Sequence, residues 1–406
     1  MTLTTPAQER YTRFSCPNPQ CARFNRPDAG NIAHRSWTGT SKHIERLRCT
    51  ACAHECSERE GTLMARSKLA EDPVERLLKC QRWGVCDEGT ADICAVDLQT
   101  VYRFQRVAAQ RAQTHHQQVV QDVDVAGVQL DEAHSKLRPK QVAWLHTALA
   151  MGSWFLLWGD FGPRTQEHAA GLIAQGVART RQLPLFLSDG GKPSSAARLQ
   201  VVGGGYRPRR RGQVGRKPTP RLVAPKTLFY AQVVKVRDKA GHMVEVHRRV
   251  LFGGPRRFVT QLRLRQLGVT IQRAFMERWY GTLRGLVAPL RRRTRCLSWS
   301  RPRHRGRVWL VVRLYNFVIP HKSLRQGRRQ RTPAMAIGLT EHVWSYREYI
   351  RLPVHEDPAL TQRMEERIAH LLTPALRSQP SGSPQAKPSP EETTGKEEGK
   401  PRLKAA

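Results

Sequence analysis

The sequence predicts an α/β chain in three successive parts: a small cysteine-rich unit, a helical unit, and a larger domain built on a β-sheet. Three observations carry this prediction. Five of the nine cysteines crowd into residues 16–56. Apolar residues then recur at helical spacing through residues 73–118. From residue 125 onward short apolar runs take over, and two of them end in an aspartate with a helical stretch between them. The implied boundaries are residues 1–65, 66–120 and 121–350, with a C-terminal helix and a disordered tail over 351–406.

The chain carries 69 Lys and Arg against 33 Asp and Glu, a net charge of +36. An excess this large repels itself unless a polyanion neutralises it, so nucleic acid is the expected partner. A basic membrane-surface protein would need an amphipathic basic helix or a lipidation motif, and neither occurs. The most apolar stretch, residues 148–158, is broken by Gly152 and Ser153 and falls short of the ~18 residues a membrane span needs. The first residues lack the apolar run of a signal peptide. A reducing, cytoplasmic location is therefore expected, where nine cysteines read as metal ligands or buried thiols rather than disulfides.

In residues 1–65, Cys16 and Cys21 form a C-x4-C knuckle and Cys49 and Cys52 a C-x2-C knuckle. Thiolates arriving in pairs from two tight turns suit the tetrahedral shell of a structural Zn2+, as in a zinc ribbon. A segment this short also has too little apolar material to fold unaided. Cys56 and His54 are alternative ligands should the longer knuckle be distorted. Four thiolates leave no open position for chemistry, so the ion's task would be to present basic side chains such as Arg46 and Arg48 to phosphates.

Pro73 opens a helix over residues 74–83, with Val74, Leu77, Leu78 and Cys80 on one side. A short helix over 90–95 follows the breaks at Gly84 and Gly89, and Asp97 caps a third over 98–112. Val101, Phe104 and Val107 form the core stripe of that third helix, while Arg103, Arg106 and Arg111 face outward. This is the helix-turn-helix plan, in which the last helix enters the major groove of duplex DNA.

Residues 125–131 read as a strand ending in Asp131, and 141–150 and 154–160 as two more. Residues 164–179 read as a helix with Ala169, Leu172, Ile173 and Val177 inward, and 183–189 as a strand ending in Asp189. Three antiparallel strands, a crossover helix and a strand beside the first would place the two aspartates on neighbouring strands. Two divalent ions ~3.5–4 Å apart need that arrangement to share a bridging carboxylate. A third carboxylate is expected from a helix over residues 269–284, where Glu277 stands among Arg273, Arg278 and Arg284. Ile271, Phe275 and Leu283 mark its buried side, and Asp160, Glu132 and Glu245 are the competing acids.

The order of cysteine knuckles, helix-turn-helix, Leu130-Asp131-Glu132, Ser188-Asp189-Gly190 and Phe275-Met276-Glu277-Arg278 resembles prokaryotic insertion-sequence transposases of the DDE type. Two later segments strengthen the resemblance: Tyr315-Asn316 followed by Pro320-His321-Lys322-Ser323-Leu324, and Thr332-Pro333-Ala334-Met335-Ala336-Ile337-Gly338-Leu339. It covers about residues 14–350, with departures at Tyr280, where many relatives carry Asn, and at Ala133-His134, where an aromatic is common. The resemblance implies an RNase H-like catalytic domain, a mixed five-stranded sheet with helices. Asp131, Asp189 and Glu277 would hold two Mg2+ (or Mn2+) ions there. The implied activity is cleavage at the ends of an insertion sequence and strand transfer into target DNA. The implied partners are the double-stranded DNA of element ends and target, with no membrane, and a homo-oligomer that pairs the ends at the nucleoid of a prokaryotic cytoplasm.

Between Asp189 and Glu277 lies a basic insertion of about residues 190–265, with Arg209, Arg210 and Arg211 and a hairpin over 229–236 and 243–251. It reads as an inserted element that grips DNA. Arg291, Arg292, Arg293 and residues 301–307 are expected to track phosphates. His321 and Lys322 could touch the scissile strand, with a structural role the plainer reading of His321. The competing functions are a zinc-containing DNA-binding regulator that has lost the chemistry and a general metal-dependent nuclease. Intact acids favour an enzyme, and separate DNA-reading parts favour a transposase.

Overall fold

The structure, a computed structural model, describes residues 10–39, 44–138, 141–190, 193–206, 219, 221–291, 293–294, 296–298 and 300–373. The tail from residue 374, Arg292 and the basic run with Arg209, Arg210 and Arg211 lie outside the described residues.

Strands β1 (Ile32–Thr38), β2 (Ile44–Cys49) and β3 (Glu55–Ser57) form an antiparallel sheet in that order. Helices α1 (Glu71–Arg82), α2 (Asp87–Cys94) and α3 (Leu98–Val119) follow. Val74, Leu77, Leu78 and Cys80 are buried on α1, as the apolar spacing requires. α2 begins ahead of its expected start because Cys86 Sγ accepts from Gly89 N and caps the turn. Asp97 caps α3 by accepting from Gln99 N. That helix continues past its expected end because Ala112, His115 and His116 extend its buried face.

The chain then builds β4 (Gly127–Arg138), β5 (Gln141–Ala150), β6 (Leu156–Gly162), α4 (Gln166–Val177), β7 (Leu185–Asp189) and α5 (Pro193–Val202). Short strands β8 (Gly204–Tyr206) and β9 (Arg221–Val223) pair with each other, and β10 (Tyr230–Arg237) and β11 (Met243–Phe252) form the expected hairpin. The remaining helices are α6 (Pro255–Leu264), α7 (Ala274–Leu286), α8 (Arg301–Phe317), α9 (Pro333–Ala336), α10 (Tyr346–Arg351) and α11 (Pro358–Leu372). α7 starts at Ala274 rather than residue 269, because Val269, Thr270 and Ile271 are β-branched and enter a helix reluctantly.

One mixed sheet runs in the order β11-β10-β7-β4-β5-β6. β4 pairs with β7 in parallel from Gly127↔Leu185 to Leu130↔Ser188, and β7 with β10 in parallel from Phe186↔Tyr230 to Asp189↔Val233. The expectation of five strands with a separate hairpin is corrected here: β10 lies beside β7, and β11 adds a sixth strand at the edge. The reason is apolar burial. Ala231 and Val233 pack with Leu185, Leu187, Phe258 and Leu262 in one core, which a hairpin projecting into solvent would leave wet. Phe186 and Tyr230 point to the opposite face, where the buried Arg198 guanidinium lies 3.6 Å from the Tyr230 ring centroid. Burial on both faces accounts for the unbroken apolar run of β7.

The described residues fall into two compact units. The first comprises the chain up to Val123 with Ala133–Leu145 and Trp279–Arg367; the second comprises Asp124–Glu132 and His146–Arg278, with the described residues from Ile368. In the first, α3 and α8 pack along each other, with His115 against Phe317 at 5.3 Å and His116 against Trp309 at 5.0 Å between ring centroids. Among the described residues no helix is long and apolar enough to cross a membrane.

Burial keeps several histidines neutral. It pushes His146, His304 and His355 down to about 4 and holds His115 well below its ordinary 6.5. The unfolded chain therefore takes up these protons first, and stability falls as pH drops from about 6.5 toward 4. Asp131, pushed up to about 6, works in the opposite direction over part of the same window. With the histidines in the majority, urea midpoints are expected to fall steadily as pH is lowered from about 7 to 5; constant midpoints would contradict the burial of these rings.

Candidate functional site

Among the described residues one group of side chains is placed to hold a metal ion, and it lies in the first unit; the second unit brings together the two aspartates of β4 and β7. In the first unit the Sγ atoms of Cys16, Cys21, Cys49 and Cys52 all lie within 4.8 Å of one another. Cys16 and Cys52 are 3.6 Å apart, and Cys21 and Cys49 3.8 Å. A tetrahedron with Zn–S bonds of about 2.3 Å has edges of about 3.8 Å. The thiols are thus placed to hold a structural metal such as zinc. Backbone turns build both knuckles: Cys21 N donates to Asn18 O, and Ala53 N to Cys49 O. Burial pushes the Cys49 thiol up, but hydrogen bonds from Asn31 and from the backbone of Cys52 and Ala51 outweigh it and bring the thiol down to about 7. Cys56 is a core thiol pushed up to about 12 by burial, and His54 is exposed; neither belongs to the group.

In the second unit the register of β4 and β7 decides the geometry. Leu130 pairs with Ser188, so Asp131 and Asp189 are the next residues along two adjacent parallel strands. Both line a small pocket of about 20 Å³, together with Glu132, His146 and Arg198. That is room for about one water-sized species. Burial pushes Asp131 up to about 6, and the charge of Asp189 adds to this; the ion pair with Arg273 and the Glu132 amide pull the other way.

Helix α7 is anchored to β4 by Gln129. Its Oε1 accepts from Met276 N at 2.9 Å, and its Nε2 donates to Gln272 O at 2.6 Å. Gln129 stands two residues before Asp131 and so shares its face of the strand. Arg273 reaches Asp131 from this anchorage, in an ion pair that is largely buried on both sides. Glu277, one helical turn on, has its side chain half exposed and pairs with Lys235 of β10. The structure therefore brings Asp131 and Asp189 together and turns Glu277 toward Lys235.

Of the competing acids, Glu132 shares the pocket of the two aspartates, and Asp160 and Glu245 stand on other strands. Glu132 pairs with Arg164 and, at 3.6 Å, with His146, whose ring centroid is 4.4 Å from that of His168. Asp160 lies on β6, with β5 between it and the strand of Asp131. Glu245 is on the edge strand β11, 3.2 Å from His247.

Of the cations expected to meet DNA, Arg103 and Arg106 are exposed on α3, although Arg103 also donates to Arg66 O. Arg111 is half buried and donates to Val354 O. Arg278 is exposed with its guanidinium 5.6 Å from the Trp154 ring centroid, and Arg284 is half buried. His321 packs edge-on against Tyr315, and Lys322 is exposed. Arg307 is paired with Asp87, and Arg303 stacks 3.8 Å over Tyr102. Sequence reasoning missed Gln129, Lys235 and Arg198. A glutamine at an inward position of the run Val128-Gln129-Leu130 was the available signal for the first; the other two depend on strand order and helix placement.

The sequence matches no protein-family model and no curated protein. The likeness to insertion-sequence transposases thus rests on the motifs themselves.

Two outcomes follow from this geometry. The purified chain is expected to carry about one zinc per molecule by elemental analysis, and Cys49→Ser to lose it together with protection of the first 60 or so residues from protease. Full zinc content in Cys49→Ser would exclude the four-thiolate site. Gln129→Leu leaves the Gln272 carbonyl without its donor and the Met276 amide with Arg273 O alone, and is expected to cost about 1–3 kcal/mol in urea unfolding. An unchanged midpoint would show that α7 is held by packing alone.

Proposed function

We propose that this chain is a DNA transposase that cuts the ends of an insertion sequence and joins them to target DNA, with Asp131, Asp189 and Glu277 holding two Mg2+ (or Mn2+) ions in an RNase H-like domain. The observation that carries this reading is the matched position of Asp131 and Asp189 on two central parallel strands. The sheet also supports it: three consecutive strands, the helix α4 and then a strand parallel to the first is the order such a domain requires. Carboxylate oxygens are the donors that Mg2+ and Mn2+ take.

When bound, such ions supply activation of a water or 3′-hydroxyl and neutralise charge on the departing phosphodiester oxygen. The chain's own residues prepare the site. Arg273 and Lys235 pair with Asp131 and Glu277, and those ion pairs must yield when a cation enters. Arg198 lies fully buried near Asp189, whose charge favours the guanidinium against the cost of its burial. Exposed Arg278 is placed next to Glu277 to take a backbone phosphate. In this reading the cysteine unit, with zinc, and the helices α1–α3 bind the element ends, and two copies pair them in the cytoplasm.

One observation favours a second reading, a zinc-stapled DNA-binding regulator without chemistry. Glu277 is paired with Lys235 and is not among the residues that line the Asp131–Asp189 pocket.

Labelled duplexes from the DNA flanking the gene separate the two. With Mg2+ or Mn2+, wild type is expected to nick and join at one position. Asp131→Asn, Asp189→Asn and Glu277→Gln should each lose at least about a hundredfold in rate while still binding the duplex. Tight binding without cleavage under either metal would leave the regulator. Cleavage without positional preference would leave a nuclease.

A further inference from the structure

We propose that the first unit contains a binding site for a phosphorylated nucleoside, in a cavity of about 500 Å³ that the chemistry above does not use. Three arginines line it: Arg284 from the last turn of α7, and Arg291 and Arg293 from the segment that follows. Among the described residues none of the three has a carboxylate partner. Three like charges around one cavity repel each other, and an anion relieves that repulsion. Arg291 is already held in place, because its Nε and Nη2 donate to the carbonyls of Arg284 and Gly285 at 3.3 and 3.1 Å, which leaves Nη1 to meet the anion. An anion meeting this side chain need not immobilise it anew. The forked guanidinium geometry suits phosphate.

The rest of the lining argues against inorganic phosphate as the natural occupant. Pro289 and Leu290 are buried and Leu297 half buried, so part of the wall is apolar. The volume lies within the about 300–1,000 Å³ of small-molecule sites, far more than one phosphate fills. A flat base with apolar faces suits that wall better than a sugar phosphate does. Two hydroxyl residues also line it: Ser135, buried with its Oγ 2.9 Å from His304 Nε2, and Thr294, whose Oγ1 accepts from Cys296 N at 3.0 Å. The phosphorylated nucleoside could be a free mononucleotide or the end of a DNA strand, and the measurement tells them apart.

The full chain is titrated with deoxyadenosine 5′-monophosphate, deoxyadenosine, inorganic phosphate, and single-stranded oligodeoxyadenylate with and without a 5′-phosphate. The monophosphate is expected to bind one site per chain, at least about tenfold more tightly than the nucleoside or phosphate. The double variant Arg291→Ala/Arg293→Ala and the variant Leu297→Glu should each weaken it at least about tenfold. Arg256→Ala/Arg363→Ala removes the same charge from exposed positions elsewhere and should leave it unchanged. If only the 5′-phosphorylated strand binds with these losses, the occupant is a strand end and the proposal stands. Equal affinity in the cavity variants and the control pair, or phosphate binding as tightly as the monophosphate, overturns it. Thermal melts check folding, and the exposed arginine pair decides the matter should Leu297→Glu not fold. Asp189→Asn should bind the monophosphate like wild type, so a failure of cleavage leaves this site untouched.

Discussion

Two aspartates at matched positions on adjacent buried strands repel each other, and much of the second unit answers that repulsion. Each carboxylate of the region has its own cation, delivered by a different element. Arg273 comes from the lead-in to α7, Arg198 from α5, Arg164 from the turn before α4, and Lys235 from β10. Isolated buried charge is costly, and paired charge recovers part of that cost only with close geometry. Here the compensation is incomplete: burial still raises Asp131 to about 6 despite its guanidinium. Under the function proposed above, such a pair would favour a further positive charge at the small pocket that both line.

How far the sequence is legible depends on how local each cause is. The cysteine group could be read from spacing, since a knuckle is a few residues of turn and its chemistry is carried by one residue type. Asp97 as a cap and the apolar faces of α1 and α3 were equally local. Asp189 was legible as a strand end because an apolar run names its own end, whereas the expected end at Asp131 is corrected: β4 runs on to Arg138. The place of the hairpin was not legible, because Ala231 and Val233 look the same whether they pack on the main sheet or on a separate layer. Arg273 and Arg278 are equivalent as letters near Glu277, yet one grips Asp131 and the other lies exposed beside Trp154. Their fates depend on the pitch of α7 against β4, and that pitch is set by Gln129 at the far end of a long stretch of chain.

The first unit shows a similar division along one helix. The early part of α3 keeps Arg103 and Arg106 exposed, whereas Arg111 is tied to the backbone at Val354 and His115 and His116 are enclosed. α8 braces this helix closely. A Cβ at Gly306 would stand 2.9 Å from that of Ala109, so only glycine allows the two backbones to approach as they do. Arg313 adds a hydrogen bond to Arg111 O at 3.0 Å. The exposed arginines therefore project from a helix that α8 packs against closely.

The pair of hydrogen bonds from Gln129 also has a kinetic side. Its partner Met276 lies 147 residues downstream, so the Met276 amide, which Arg273 O can serve locally, gains this second acceptor only after a very large loop has closed. Contacts of that separation form late, and they form later still on a ribosome, where β4 emerges long before α7 exists. A nascent chain that has completed both aspartate strands consequently lacks the arginine that shields the first. The burial of Asp131 beside its counter-charge is thus postponed until most of the polypeptide has been made.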